Sequence, residues 1–321
     1  SWSAAEDTGW KEELKRMGFE VPLEEIEKGE IVGQKWLVEK VPPGFLGARV
    51  FFISPVDAEK TSKTILEFDP TGKRQVPWSE EGSVKIYQSF PWPLDPKSWD
   101  RFRGALGQPP FDLLLQVAGK KEGKIHLTPE EIAKISSAKI DGWVEVLEKR
   151  IQMFRNGGWK GNLAVPSGPE NQQTDFDDDF LRLLAMENQK PVLDEFQGIL
   201  RSIGSAGKLG QNLATQDYWQ LMEVDKSPAV VLGFGVMRKS ESGRYEVADM
   251  HYYVSNGYFG AISLYAVWPL ENGKSMVCRI DAVETDPGEL SQSTARMFGE
   301  GIFMREVKAG CKMILDQLRG S

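Results

Sequence analysis

Alternation of apolar and polar residues is clearest in the last third of the chain, where four segments have the period of two that is typical of β-strands. Asn256-Gly257 and Asn272-Gly273 lie between successive segments, and Asn-Gly is a strong signal for a tight hairpin turn. The pattern therefore predicts a meander of four antiparallel strands, at residues 228–238, 244–254, 258–268 and 274–285.

The first third of the chain has a similar character. The segment WKEELKRMGFEV predicts a short helix, and turn-forming residues separate several strand-like runs. These gaps are too short for crossover helices, which favours antiparallel pairing. The predicted strands are 31–39, 48–54, 63–69, 84–90 and 111–117.

Helices are predicted where the apolar period changes to 3.6 residues. Thr128, Pro129 and Glu131 form the pattern of a capping box with proline at the first helical position. One apolar face then continues to Phe154, and Asn-Gly-Gly at 156–158 is a good helix end. Further helices are predicted at 190–204 and 287–319, the last with Asp286 as its N-cap.

These elements predict an α+β fold with a mainly antiparallel sheet and long closing helices. Residues 1–165 would form an N-terminal α+β region that ends in a long helix. Residues 166–189 are rich in polar and turn-forming side chains and are predicted to be a linker. Residues 190–321 would form the C-terminal region.

The stretch MHYYVSNGYFGAISLYAVWPLENGKSMVCRIDAV, residues 250–283, is unusually rich in aromatic residues. Strand 258–268 has large apolar side chains on both faces, so both faces are expected to be covered. On strand 274–285, the face with Met276, Cys278 and Ile280 is expected to meet the final helix.

Four meandering strands followed by a long closing helix resemble the C-terminal part of the helix-grip fold of the START and polyketide-cyclase-like superfamily. The resemblance covers about residues 228–319 and lies in the order of elements. It implies a lipid, sterol or aromatic polyketide held between sheet and helix. In addition, WVEVLEKRIQMFRNGGWKG and YYVSNGYFGAISLYAVWPL are similar to segments of a bacterial secreted family without an assigned function.

Composition narrows the classes of partner. The net charge is −8 and basic residues are scattered, which argues against nucleic acid as a partner, and no apolar run is long enough for a transmembrane segment. The chain starts with SWSAAEDTGW, whose small residues fit the mature side of a signal-peptidase site, so a periplasmic or extracellular location is expected.

Few residues are available for metal or redox chemistry. Two cysteines, Cys278 and Cys311, exclude a zinc ribbon and a disulfide-rich scaffold, and two free buried thiols are expected rather than a bridge. With two histidines in the chain, a three-histidine metal site is impossible. Neither a metal nor a cofactor is predicted.

A ligand pocket is predicted between strands 244–285 and the final helix. Arg279 and His251 are the candidates for orienting a ligand, with Arg279 pairing an anionic group. The alternative is that Arg279 and Asp281 form an exposed, weak ion pair. The predicted apolar lining is Tyr253, Tyr265, Trp268, Phe298 and Ile302.

Gly299 and Gly301 lie inside the predicted final helix, where each glycine is costly. A hinge for ligand entry and close packing of the helix on the sheet are the two interpretations.

Taken together, the residues favour a secreted or periplasmic, non-catalytic binding protein for an apolar or amphipathic, lipid-like molecule. The alternative is a structural or interaction subunit of a bacterial envelope assembly, in which a protein partner replaces the small molecule. An enzyme is disfavoured because the sequence offers no recognisable nucleophile or metal-binding set.

Overall fold

The computed structural model describes residues 8–36, 44–70, 84–92, 96–118, 125–158, 165–166, 173–204, 213–224, 227–286 and 293–320. Within these ranges the fold is α+β, and eight strands form one antiparallel sheet in the order β1-β2-β10-β9-β8-β7-β6-β3. A two-stranded ribbon, β4 and β5, stands apart. Strands from residues 1–165 and 190–321 thus share one sheet, while the domain boundary between them stays a prediction.

The strands are β1 (Val32–Trp36), β2 (Phe45–Ser54), β3 (Val84–Trp92), β4 (Val165–Pro166), β5 (Gln173–Thr174), β6 (Ala214–Val224), β7 (Ser227–Lys239), β8 (Tyr245–Val254), β9 (Gly260–Pro269) and β10 (Ser275–Glu284). The α-helices are α1 (Thr8–Arg16), α2 (Leu23–Glu27), α3 (Ala58–Leu66), α4 (Pro96–Leu106), α5 (Pro129–Ala138), α6 (Ile140–Gly157), α7 (Phe176–Ala185), α8 (Lys190–Gly204) and α9 (Ser293–Arg319).

Both faces of the large sheet are covered. On one face, here called the core face, the main apolar cluster includes side chains from α1, α4, α5, α6, α7 and α8. On the other, here called the α9 face, α3 and α9 pack over a smaller apolar cluster. The expectation that strand 258–268 is covered on both sides is confirmed, because Leu264 lies in the first cluster and Val267 in the second.

The local signals for several elements are confirmed. The four-strand meander corresponds to β7 through β10, and α8 has the predicted bounds. Thr128 and Glu131 make both hydrogen bonds of the capping box at the start of α5. The predicted continuous helix is broken, however, at Lys139, whose φ of 55° separates α5 from α6.

Two predicted strands are wrong. Segment 63–69 is mostly the end of α3, whose buried residues Ala58, Thr61, Ser62 and Ile65 follow a helical spacing that the short apolar run concealed. Segment 111–117 begins with a 3₁₀-helix, Phe111–Leu115, which buries Phe111 and Leu114 three residues apart. Strand β6 was not predicted, and α7 occupies part of the predicted linker with Phe180 fully buried.

The predicted contact of the final helix is also wrong. Met276, Cys278 and Ile280 point into the core-face cluster, whereas Cys311 and Ile314 of α9 pack with Val277 on the opposite face. The two cysteines are therefore separated by the sheet. Both are free and buried, which confirms the expectation of unpaired thiols.

An arginine immediately before β8 joins α1 and α8 to the sheet. Arg244 is buried and donates hydrogen bonds to carboxylate oxygens of Glu13, Glu195 and Glu246, and also to the backbone carbonyl of Glu195. Glu13 in turn accepts a hydrogen bond from Trp268 Nε1 at 2.9 Å. These bonds fix the N-terminal helix against the core face.

Removing this arginine would leave the buried carboxylate of Glu13 without a cation, because Glu195 and Glu246 also pair with Arg16 and Arg238. We expect Arg244→Ala to lower the free energy of unfolding by about 3–5 kcal/mol, measured by urea denaturation. Arg16→Ala is the control, because Arg16 binds Glu195 from an exposed position and exposed pairs contribute less than about 1 kcal/mol. Equal effects of the two variants would contradict a structural role for the buried network.

The two interpretations of the glycines in α9 can be compared at Gly301. No atom lies within 4 Å of a Cβ placed there, so close helix–sheet packing does not account for this glycine. We expect Gly301→Ala to raise the free energy of unfolding by about 0.5–1 kcal/mol, because alanine loses less backbone entropy in a helix. Gly142→Ala in α6 should destabilise instead, since its Cβ would lie 2.7 Å from the Lys134 carbonyl oxygen.

Candidate polar pocket between the sheet and α9

A row of polar residues crosses the α9 face of the sheet. Register pairs Gln216 of β6 with Gly235 of β7, Gly235 with Asp249 of β8, Asp249 with Ser263 of β9, and Ser263 with Asp281 of β10. Apolar clusters lie on both sides of this row. Polar side chains on a covered sheet face are costly unless they are paired, so this row is the most informative feature of the face.

A pocket of about 130 Å³ lies above the row. Its walls come from the end of α3 and the residues that follow, from α9, and from the sheet. The apolar and helix-side lining is Ile65, Leu66, Phe68, Asp69, Pro70, Gly310 and Ile314. The sheet side is lined by Gln216, Tyr218, Gln220, Asp249, His251, Ser263, Tyr265 and Arg279.

A chain of buried hydroxyl groups positions α3 over the sheet. Thr61 Oγ1 lies 2.6 Å from Ser54 Oγ of β2 and 2.9 Å from Ser275 Oγ of β10. Asp57 caps the helix by accepting a hydrogen bond from the Lys60 backbone N–H. The pocket wall formed by Ile65 and Leu66 is therefore held by specific bonds as well as by apolar packing.

Glycine on β7 allows a tyrosine to cross that strand. Tyr218 of β6 is paired with Gly233, and a Cβ at position 233 would collide with the Tyr218 ring. Tyr218 consequently reaches β8, where its hydroxyl donates to Asp249 Oδ1 at 2.6 Å. Burial raises the pKa of Tyr218, and the neighbouring Asp249 carboxylate raises it further, so the phenol remains protonated as the donor.

Arg279 forms an ion pair with Asp281, a neighbour on its own strand, β10. Its Nε and Nη2 donate to the two carboxylate oxygens of Asp281 at 2.7 and 2.8 Å, and its guanidinium lies 5.2 Å from the centre of the Tyr265 ring. Ser263 also donates to Asp281, at 2.6 Å. Because 12% of the Arg279 side chain and 6% of that of Asp281 is exposed, the alternative of a solvated surface pair is wrong.

His251 is the other predicted polar residue of the site. Its Nδ1 is hydrogen-bonded to Tyr258 Oη at 2.7 Å. Burial and, to a smaller extent, the positive charge of Arg279 lower the pKa of His251 to about 4, so the ring is neutral near pH 7. Within the described ranges, Nε2 of this ring has no hydrogen-bond partner.

The pKa of Asp249 is raised, whereas that of His251 is lowered. Burial raises the pKa of this carboxyl to about 6, against smaller opposing effects from the Tyr218 hydroxyl and from Arg279. The pocket thus contains a carboxylate that is held in its charged form at neutral pH at an energetic cost. Such perturbed groups in a cavity are typical of functional sites.

The structure brings together three of the seven predicted ligand-binding residues. His251, Tyr265 and Arg279 line the pocket. Tyr253 and Trp268 belong instead to the core-face cluster. Ile302 is half-buried on α9 and is not part of the pocket lining, and the side chain of Phe298 lies outside the described residues.

A β-bulge explains the position of Tyr253. Gly233 pairs with His251 and Leu232 with Tyr253, which leaves Tyr252 as an extra residue on β8. The alternation of faces shifts by one residue at this point. Tyr253 therefore packs on the core face, where its ring lies 4.1 Å from the Arg150 guanidinium.

Sequence reasoning missed the residues that reach the pocket from β6 and α3, namely Gln216, Tyr218, Gln220, Ile65 and Leu66. Gln216, Tyr218 and Gln220 were missed because the sequence pattern does not predict β6. Ile65 and Leu66 were missed because the pattern at 63–69 predicts a strand and not the end of α3. The segment LGFG at 232–235 carries a usable signal, since glycines at alternate positions of a strand indicate close approach of other groups on one face.

Comparisons with protein-family models, with curated proteins and with solved structures gave no match to this chain. Among the described residues, no group of three or more histidine, cysteine, aspartate or glutamate side chains is placed to hold a metal ion. No helix in the described part of the chain is long and apolar enough to cross a membrane.

The charge of the half-buried Asp249 should affect the free energy of unfolding in a pH-dependent way. Because its folded-state pKa is raised from 3.8 to about 6, its ionisation disfavours folding above pH 6 and has no effect below pH 3.8. We expect Asp249→Asn, which retains an acceptor for Tyr218, to raise the free energy of unfolding by about 1–2 kcal/mol at pH 7.5.

Urea denaturation of both proteins at pH 7.5 and at pH 4 measures this effect. The advantage of the variant should vanish at the lower pH, since wild-type Asp249 is then protonated. His251 and His126 also have lowered pKa values of about 4, so the two proteins are compared with each other at each pH. A variant that is no more stable than wild type at pH 7.5 would contradict the assignment.

Proposed function

We propose that the chain is a binding protein for a small amphipathic molecule and that the pocket between the sheet, α3 and α9 is its site. The observation that carries this proposal is the polar row on a covered sheet face. Its side chains border a pocket where an apolar wall faces polar groups, and this combination is the usual composition of a small-molecule site.

The size of the pocket narrows the ligand. About 130 Å³ is close to the roughly 150 Å³ of a protein cavity that accommodates benzene. A lipid tail or a fused-ring polyketide is larger than this space. The ligand that we propose is therefore compact, with one polar end, rather than a full lipid.

A helix-grip-like C-terminal half is part of the same proposal, and the order and placement of its elements support it. The meander β7–β10 is followed by α9, and α9 lies on the face that carries the pocket. Its most extensive strand contacts are with β2, beside β10, so the helix leaves room above β8 and β9. The pocket occupies this room together with the end of α3.

Native mass spectrometry of the protein purified from its source tests the proposal. We expect a fraction of the protein to carry a non-covalent adduct no larger than a small-ring compound, released by mild collisional activation. Ile314→Phe should reduce this fraction, because Ile314 lines the pocket and a larger side chain fills it.

Met313→Phe is the matched control, since the adjacent residue of α9 does not line the pocket. An adduct with the mass of a complete phospholipid, or one retained equally by both variants, would argue against this pocket as the site. Absence of any adduct would favour the alternative of a structural or interaction protein.

A further inference from the structure

Charges in the pocket are unevenly partnered. Arg279 and Asp281 neutralise each other through two short hydrogen bonds. Asp249 receives a hydrogen bond from the neutral Tyr218 hydroxyl, and no lysine or arginine forms an ion pair with it in the described part of the chain. Arg279 also lines the pocket, but its guanidinium is already bound to Asp281.

Among the lining residues that the structure describes, Arg279 is the one that carries a positive charge near pH 7. His251 is neutral near pH 7, and the other charged lining residue, Asp69, is acidic. Of the two carboxylates on the sheet side, Asp281 is neutralised by Arg279, whereas Asp249 forms no ion pair within the described ranges. Asp249 is half-buried, so its charge is costly without a cation, and an arriving positive charge would reduce that cost.

The remaining lining also suits a positive group. Phe68, Tyr218 and Tyr265 place three aromatic side chains around the space, and Gln216 and Gln220 add polar side chains. Aromatic faces attract organic cations, most strongly where water is excluded. The protein's net charge of −8 favours the approach of cations over anions.

We propose that the pocket binds a compact organic cation, an ammonium group whose charge pairs with Asp249 and packs against the surrounding aromatic rings. This inference rests on the proposed function and specifies the polar end of its ligand. Asp249 then orients the charged end of the ligand, whereas the sequence suggested Arg279 for that task with an anionic ligand. Arg279 then neutralises Asp281 and donates a hydrogen bond to Ser263 beside the site.

Isothermal titration with choline and with its neutral isostere 3,3-dimethylbutan-1-ol tests the charge directly, because the two molecules have nearly the same shape. We expect saturable binding of choline and binding of the isostere that is weaker by about tenfold or more. Equal affinities would overturn the cation assignment and leave a shape-selective pocket.

Asp249→Asn tests the partner of the cation. This variant should retain its fold, since it is expected to be more stable than wild type, and its affinity for choline should fall by about tenfold or more. Asp100→Asn is the control, because Asp100 is exposed on α4 and does not line the pocket. Equal losses in the two variants would indicate a general surface-charge effect and would overturn the assignment.

Two further outcomes separate this inference from the proposed function. Saturable binding of benzoate without binding of choline would overturn the cation assignment in favour of Arg279 as an anion site. Failure of choline and of the smaller tetramethylammonium ion to bind also overturns it. The proposed function is judged independently, by the adduct carried by the purified protein and its loss in Ile314→Phe.

Discussion

Coverage of the sheet on both faces is the constraint on which the rest of this structure depends. Along β7 to β10, a side chain that leaves one buried face enters the other, so polar residues on these strands must be paired. Arg244 and Glu246 meet this requirement on the core face, and Arg279 and Asp281 meet it on the α9 face. Both pairs join residues two positions apart, within β10 and where the chain enters β8, so that the two side chains lie on one face.

On the α9 face, Asp249 departs from this arrangement. Glu131, Glu246 and Asp281 each have an arginine within hydrogen-bond distance, whereas Asp249 has the hydroxyl of Tyr218. A stability-optimised protein would replace such a residue by a neutral one. Destabilising groups beside a cavity are common where a ligand completes the interactions, which is why the unpaired carboxylate and the pocket are most simply explained together.

The pocket owes its shape to backbone features as much as to side chains. Glycine at position 233 admits the Tyr218 ring, and glycine at 235 admits Leu66 of α3 to within 2.9 Å of where its Cβ would lie. The bulge at Tyr252 turns Tyr253 to the other face, so His251 is the last polar residue of β8 on the α9 face. Two glycines and one β-bulge, each an interruption of the regular sheet, thus determine the space in the pocket and which side chains border it.

Local signals in the sequence determined much of the fold. Thr128 with Glu131, the Asn-Gly turns and the alternation in the last four strands specify their elements through short-range bonds and side-chain periodicity, and α8 follows from its helical period. The α+β class follows from the order of these elements. By contrast, short runs such as 63–69 and 111–117 fit both periods over so few residues that only packing decided them.

The site depended on tertiary structure to a greater extent. Alternation showed that Arg279, Asp249 and His251 could share a face, but it could not reveal that this face meets α9, because both faces of the strand are apolar enough to be covered. Nor could it show that Tyr218 crosses a neighbouring strand to reach Asp249, since strand order is set by pairing between distant segments. The sequence by itself determined which residues alternate. The pairing of β6 with β7 and the docking of α3 and α9 decided which of them enclose a pocket, because those contacts join segments far apart in the chain.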